Sequence, residues 1–321
     1  CYIMSHFTVL VIGNDIDSQL APYAENDVDE QYSVFDNKEE EFRKEYEKDT
    51  IDVVEVDGHL YSLYDDRFHD GSKLYNDKKY PVNSVFKKVT MKEFYTDFEE
   101  FLSDYHGLKS PDEKTGLYGY WSNPNAKWDW YTIGGRWSGY FKIKSGSAGS
   151  LGKPGVFDNK PEEGWVDQLS YGDIDFDGMK SQYSRKANER YDQFEAIVQG
   201  RDIPSWTRIC EKHVDNIEAA RYEYNNNPVI KDLDESKFHY FSIDLEYEYG
   251  LGRELYVKKC TNRTAVPYAV LKDGKWYQKG EMGWFGMSND DMSQDEWNDE
   301  FWKLLATLDD DTLLTLVDCH T

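Results

Sequence analysis

Two apolar runs near opposite ends of the 321-residue chain constrain its fold more than any other feature. Residues 7–13 read FTVLVIG and run into Asn14-Asp15, the pattern of a buried strand followed by a turn. Residues 313–317 (LLTLV) form a second strand of the same kind, continued by Asp318-Cys319-His320. Side chains alternate along a strand, so Asp318 and His320 share one face and Cys319 takes the other. If the two terminal strands pair, His6 comes to lie beside His320 and Asp318. Such a group suits proton transfer or metal binding; two ordinary histidines at strand ends fit the same residues. A nucleophilic dyad of Cys319 with His320 has no supporting motif.

Between these runs the pattern alternates irregularly between helix and strand. Residues 25–49 hold eleven acidic and four basic residues, which reads as a solvated helical or irregular excursion. Residues 51–64 read as a hairpin turning at Asp57-Gly58. Thr90-x-x-Glu93 is a capping box for a helix carrying Phe94, Phe98, Phe101, Leu102 and Tyr105, with Gly107 at its end. The aromatic-rich stretch 118–141 leads to an expected strand over 137–144. Residues 145–155 (SGSAGSLGKPG) read as a flexible loop. Two helices follow, one with Met179, Tyr183, Ala187, Tyr191, Phe194 and Val198 on a face, the other with Ile209, His213, Ile217, Ala220 and Tyr224. Residues 239–277 read as three strands. Ser293-x-x-Glu296 then caps a last helix with Trp297, Phe301, Leu304 and Leu308 inward. The expected class is α+β, with about four helices on a mostly antiparallel sheet, and residues 4–321 as a single domain. Residues 1–3 precede Met4-Ser5-His6, which reads as a natural start.

Composition narrows the function. The chain carries 62 acidic against 37 basic residues, a net charge of −25, which argues against binding duplex DNA through a basic face. Aromatic residues make up 16% of it, far too many for a disordered acidic chain, so an aromatic core is expected. No apolar run reaches the ~18 residues that a membrane-spanning helix needs. Four sparse cysteines and no signal-like leader fit a reducing cytoplasm.

Chemistry-bearing residues concentrate in a few blocks. Residues 124–140 read PNAKWDWYTIGGRWSGY. Asp129 stands between Trp128 and Trp130, then Gly134-Gly135 lets backbone approach closely, and Arg136-Trp137 follows. An arginine among aromatic faces can hold an anion while a planar ring stacks beside it, which suits a nucleotide, a base or a sugar. The same residues also fit core tryptophans with Arg136 paired to Asp129. Residues 279–286 (KGEMGWFG) offer Glu281 as a general base or ribose contact and Trp284 as a ring, or simply a turn before the last helix. Cys210-x-x-His213 has a metal-like spacing without a second ligand pair, so core packing is expected. Asp173-x-Asp175-x-Asp177-Gly178 is half of a calcium loop with Ser184 where the bidentate glutamate belongs. The glycines of residues 146–152 lack a phosphate-loop ending. No motif assigns a cofactor.

The opening SHFTVLVIG with residues 19–26 (QLAPYAEN), the central KWDWYTIGGRW, KGEMGWFG and the closing LTLVDCH together resemble a family of phage and bacterial proteins with no established activity. The resemblance runs from Met4 to His320. It implies a phage-encoded accessory protein acting in the cytoplasm of an infected bacterium, with both terminal blocks in one folded unit; it carries over no catalytic residue. Two functions are thus expected. One is a nucleotide-like ligand bound by Trp128, Asp129, Trp130, Gly134, Gly135, Arg136, Trp137 and Trp284, with His6, His320, Asp318 and Glu281 as catalytic candidates. The other is an acidic, non-catalytic partner that occupies the nucleic-acid site of a basic host nuclease or defence protein. Its warrant is the two acidic segments, 25–49 and 289–318.

Overall fold

The computed structural model describes residues 6–26, 28–68, 80–155, 161–238, 244–282, 288–290 and 292–321. The chain divides into two compact units, Cys1–Asp27 with Ala126–Thr321, and Val28–Asn125. The first opens with β1 (His6–Ile12) and α1 (Ile16–Leu20). The second comprises β2 (Val34–Asn37), α2 (Glu39–Lys48), β3 (Thr50–Val56), β4 (His59–Ser62), β5 (Val85–Thr90), α3 (Met91–Phe94), α4 (Phe98–Tyr105) and β6 (Gly119–Ser122). The first unit resumes with β7 (Trp130–Gly135), β8 (Phe141–Lys142), β9 (Lys153–Pro154), β10 (Trp165–Val166), β11 (Gln168–Ser170) and the long α5 (Phe176–Val198). After it come α6 (Trp206–Lys212), α7 (Ile217–Asn225), α8 (Pro228–Glu235), α9 (Leu245–Tyr249) and α10 (Arg253–Asn262). The chain ends with β12 (Ala269–Lys272), β13 (Lys275–Gln278), β14 (Gly280–Met282), β15 (Ser288–Asp290), α11 (Gln294–Leu305) and β16 (Leu313–His320).

The class is α+β. The central sheet of the first unit runs β13-β12-β1-β16-β7-β9, with β11 also paired to β16. One edge of β16 is taken along its length by antiparallel β1, with His6 opposite His320 and Ile12 opposite Leu314. Its other edge is shared: β11 pairs with residues 313–315 and β7 with residues 317–320. Alternation splits the apolar residues between two cores. Phe7, Val9, Val11, Val317 and Cys319 pack with Leu20, Ala269 and Leu271 on one face. Leu10, Ile12, Leu314 and Leu316 pack with Phe141, Met179, Trp297, Phe301 and Leu305 on the other. Each such side chain stabilises the fold by about 1.5–3 kcal/mol when fully buried, which is why both terminal strands are apolar on both faces.

The outer strand β13 would present open backbone groups at the sheet edge. Tyr23 covers them: its hydroxyl donates to Gly274 O at 2.9 Å and accepts from Trp276 N at 3.1 Å. Gln19 reaches the same Asp273-Gly274 turn, accepting from Gly274 N, while its amide donates to Ile12 O and Asn14 O.

In the second unit β3 lies between β4 and β5, both antiparallel, and the Asp57-Gly58 turn joins β3 to β4. Phe42, Tyr46, Met91, Phe98, Phe101 and Leu102 from α2, α3 and α4 form its core. The capping box on Thr90 and Glu93 is present, but its helix ends at Phe94; Asp97 then caps α4 by accepting from Glu100 N.

Several expectations are corrected. Eleven α-helices occur among the described residues rather than about four, and the central sheet is mixed, because β1–β12 and β7–β9 pair parallel. The helix expected over residues 209–224 is two: Asp215 takes a positive φ of 62° and the Asn216 side chain caps α7. Residues 245–262, expected as strand, form α9 and α10, opened by the Asp244 cap and separated at Gly252. The alternation of Leu245, Tyr247 and Tyr249 misleads, because Leu245 and Tyr249 are buried four residues apart on a helix and Tyr247 is 68% exposed. The strand expected over 137–144 is a turn followed by β8. α5 to α10 pack around Tyr191, Phe194, Ile230, Leu233 and Tyr249, a core of their own.

Replacing Tyr23 with Phe removes both edge contacts and keeps the ring, so urea unfolding should show a loss of about 1–2 kcal/mol.

Candidate functional site

The face of β1 and β16 that carries Leu10 and Leu316 turns polar at one end, where strand alternation brings His6, Thr8, Asp318 and His320 together. His6 Nδ1 lies 2.7 Å from Asp318 Oδ1, and His320 Nδ1 lies 2.6 Å from Asp129 Oδ1. An ionised carboxylate only accepts, so Nδ1 is the protonated nitrogen in both pairs and Nε2 is the basic one in a neutral ring. The two imidazoles meet edge to face with centroids 4.9 Å apart. Trp130 stacks on His320 at 4.9 Å and 19°, and meets His6 edge-on at 5.2 Å. His320 is 1% exposed, and its Nε2 is buried without a hydrogen-bond partner among the described residues. A buried imidazole nitrogen with no partner costs about 1–3 kcal/mol, and such exceptions concentrate where chemistry is done.

The Gly134-Gly135-Arg136 turn is built around two buried carboxylates. Asp318 uses its second oxygen to accept from Arg136 N at 2.8 Å. Asp167, fully buried between β10 and β11, accepts from Ser138 Oγ, Gly139 N, Tyr140 N and Gly152 N. A Cβ on Gly134 would collide with Asp167 Oδ2, and one on Gly135 with Asp318 Oδ2; both glycines also have positive φ. The double glycine thus exists so that backbone can close over these two acids. The turn replaces the strand expected here, since Trp137 N and Ser138 N fold back to Gly134 O and Gly135 O.

The structure brings together His6, His320, Asp318, Asp129, Trp130, Gly135 and the Arg136 backbone. It does not gather the three tryptophans. Trp128 packs on the opposite face of the sheet, against Tyr131, with its indole donating to Leu20 O. Trp137 packs against the Phe301 core. Trp284 and the Glu281 side chain lie outside the described residues. His213 pairs with Glu223 at 2.6 Å rather than with a cysteine. Asp175 caps α5, and Lys142 beside it holds its carboxyl below the usual range; Asp173 accepts from Ser147 Oγ. No group of three or more His, Cys, Asp or Glu able to hold a metal ion occurs among the described residues. Residues 149–155, expected as a flexible loop, carry Gly152 to Asp167 and β9 to β7.

Two open clefts lie elsewhere. One, of about 460 Å³, runs along β13 past Tyr23, Trp276 and Glu300. Another, of about 550 Å³, lies between α6 and α9 at Arg208, Asp244 and Tyr247. Asp167 is not among the residues that sequence reasoning finds, and its only local signal is position: an acid interrupting the apolar pair Val166 and Leu169. No protein-family model, curated protein or solved structure matches this chain.

Burial, with Asp318 and Asp129 nearby, pushes the Cys319 thiol well above its ordinary value. It is therefore held as the thiol and is no nucleophile. Iodoacetamide at pH 8 should leave Cys319 unmodified until the chain is denatured. A raised folded-state value favours the folded state below the unfolded thiol value of about 8.5, and that contribution is lost as pH rises above it. Stability should accordingly fall between about pH 8.5 and 10, less steeply in Cys319→Ala. Gly135→Ala should lower stability by about 3 kcal/mol or more in chemical denaturation, through strain at positive φ added to the clash with Asp318.

Proposed function

We propose that this chain is an acid–base enzyme acting on a nucleotide or similar planar, anionic ligand, with His6 and His320 as its proton-transfer groups. One observation carries the reading: two imidazoles on adjacent strands, each fixed through Nδ1 by its own carboxylate, meet edge to face. A carboxylate so placed fixes the tautomer, aims Nε2 and stabilises the imidazolium that forms when the ring accepts a proton. Two such rings in contact can divide the roles of base and acid within one reaction. Trp130, 42% exposed beside them, supplies a stacking surface, and Arg136 follows directly on the turn that Asp318 holds. The sequence resemblance supports a phage accessory protein working in the bacterial cytoplasm.

The acidic-mimic reading has less behind it. Six of the eleven acids of the 25–49 segment pair with a cation or histidine: Glu39 with Arg43, Glu41 and Asp36 with Lys38, Glu47 with Lys92, Glu45 with His106 and Glu30 with Lys114. A mimic would have to give up these pairings to set the same acids against a basic groove.

A nucleotide panel followed by thermal shift and by mass detection of products tests the proposal. At least one member should raise Tm and be converted. His6→Asn and His320→Asn should each cut turnover by about 10²–10⁴-fold while binding persists. Arg136→Ala should weaken the Tm response. Turnover unchanged in both histidine variants overturns the assignment. Capture of a basic host protein at low salt, lost at high salt, would favour the mimic instead.

A further inference from the structure

Among the tryptophans of the described residues, Trp130 combines an indole without a hydrogen bond with high exposure; Trp137, Trp165 and Trp206, whose indoles also make none, pack against cores. The indole N–H groups of Trp121, Trp128, Trp276, Trp297 and Trp302 donate to Asp112, Leu20 O, Gln278, Pro267 O and Asn262 O respectively. The Trp130 indole makes no hydrogen bond among the described residues. Its aromatic contacts among the described residues are with the two imidazoles, and 42% of the residue is exposed. This partly exposed ring lies flat on His320, whose Nε2 is buried with no partner among the described residues. The tether at its base is firm, because Asp129 Oδ1 accepts from both Trp130 N and His320 Nδ1. The backbone and the imidazole are thus fixed, while the indole is held by ring contacts rather than by a hydrogen bond among the described residues.

We propose that the face of the His320 imidazole covered by Trp130 is a stacking subsite for the planar ring of a ligand, with the indole as its displaceable cover. The slot is flat: the rings are 19° from parallel, whereas His6 stands at 80° to His320 and at 82° to Trp130. A planar heterocycle can replace an indole there with little loss of contact. A saturated ring cannot stack in this way. The inference rests on the proposed function for the identity of the ligand, a nucleobase, but the cover and the slot are read from ring geometry.

Histidine acylation by diethyl pyrocarbonate on the full chain at pH 7, mapped by peptide mass, tests it with exposed His59 as the internal reference. His320 should react about tenfold or more slowly than His59 in the native protein, and Trp130→Ala should remove most of that difference, while Trp130→Phe preserves it. In Trp130→Ala, millimolar benzimidazole should restore protection of His320 and cyclohexanol should not. Equal rates at His320 in wild type and Trp130→Ala overturn the cover. Failure of benzimidazole to protect, or equal protection by cyclohexanol, overturns the planar slot. If the alanine variant does not melt cooperatively, Trp130→Leu, which keeps bulk without a flat face, carries the same comparison. Acylation reads access to an imidazole rather than turnover, so a loss of the enzymatic reading and a loss of the cover are separate results.

Discussion

The antiparallel pairing of β1 with β16 is the constraint on which the rest of the first unit depends. It joins residues more than 300 positions apart, so its loop closure precedes any benefit from the sheet around it. Its register is tightly specified. A slip of one residue would turn Phe7, Val9 and Val11 toward the Phe301 core and Leu10 and Ile12 away from it. The same slip would set His6 opposite Cys319 instead of His320. Core packing and the meeting of the two imidazoles are therefore one requirement, and the site needs no separate device to assemble it.

Around that pair, two carboxylates convert strand into turn. A buried carboxylate is tolerable only when its oxygens are filled by hydrogen bonds, and Asp167 collects four, three of them from backbone N–H groups. Asp167 also marks the place where β11 gives way to β7 along β16, since its own carbonyl accepts from Leu316 N. Asp318 anchors the neighbouring residue of the same turn, dividing its two oxygens between His6 and Arg136 N. An acid that served only the turn would not need an imidazole on its other oxygen. That second contact is what separates Asp318 from Asp167, and it is why the candidate chemistry sits at Asp318.

What can be read from sequence follows the range of each interaction. β1, β16, α5, the hairpin at Asp57-Gly58 and both capping boxes are legible because strand pattern, turn chemistry and caps act within a few residues. The nearness of His6 to His320 and Asp318 follows from strand alternation once the terminal strands are taken to pair. The helix breaks at Asp215, Asp97 and Gly252 are hidden because helical spacing continues across them, or because alternation imitates a strand, as in Leu245, Tyr247 and Tyr249. The role of Gly134-Gly135 is visible only as close backbone approach. What approaches is Asp167 at Gly134 and Asp318 at Gly135, one about 30 and the other more than 180 residues away, and no local pattern encodes either. The division of Trp128 and Trp137 between opposite faces is equally non-local, and their clustering in sequence says nothing of it.

The net charge of −25 describes the surface better than it describes the centre. Along α2 the acids face Arg43, Lys38, Lys92 and His106 one by one, in pairs open to solvent and screened by salt. At the end of β1 and β16 two acids also face two partners, but the partners are imidazoles in contact with each other, with an indole stacked on one of them. A carboxylate beside a lysine keeps a fixed charge pattern near neutral pH. A carboxylate beside an imidazole does not, because the imidazole can take up and release a proton in that range. His106 with Glu45 and His213 with Glu223 are single pairs of this kind, whereas the terminal strands set two such pairs in ring contact, and that doubling is what their register builds.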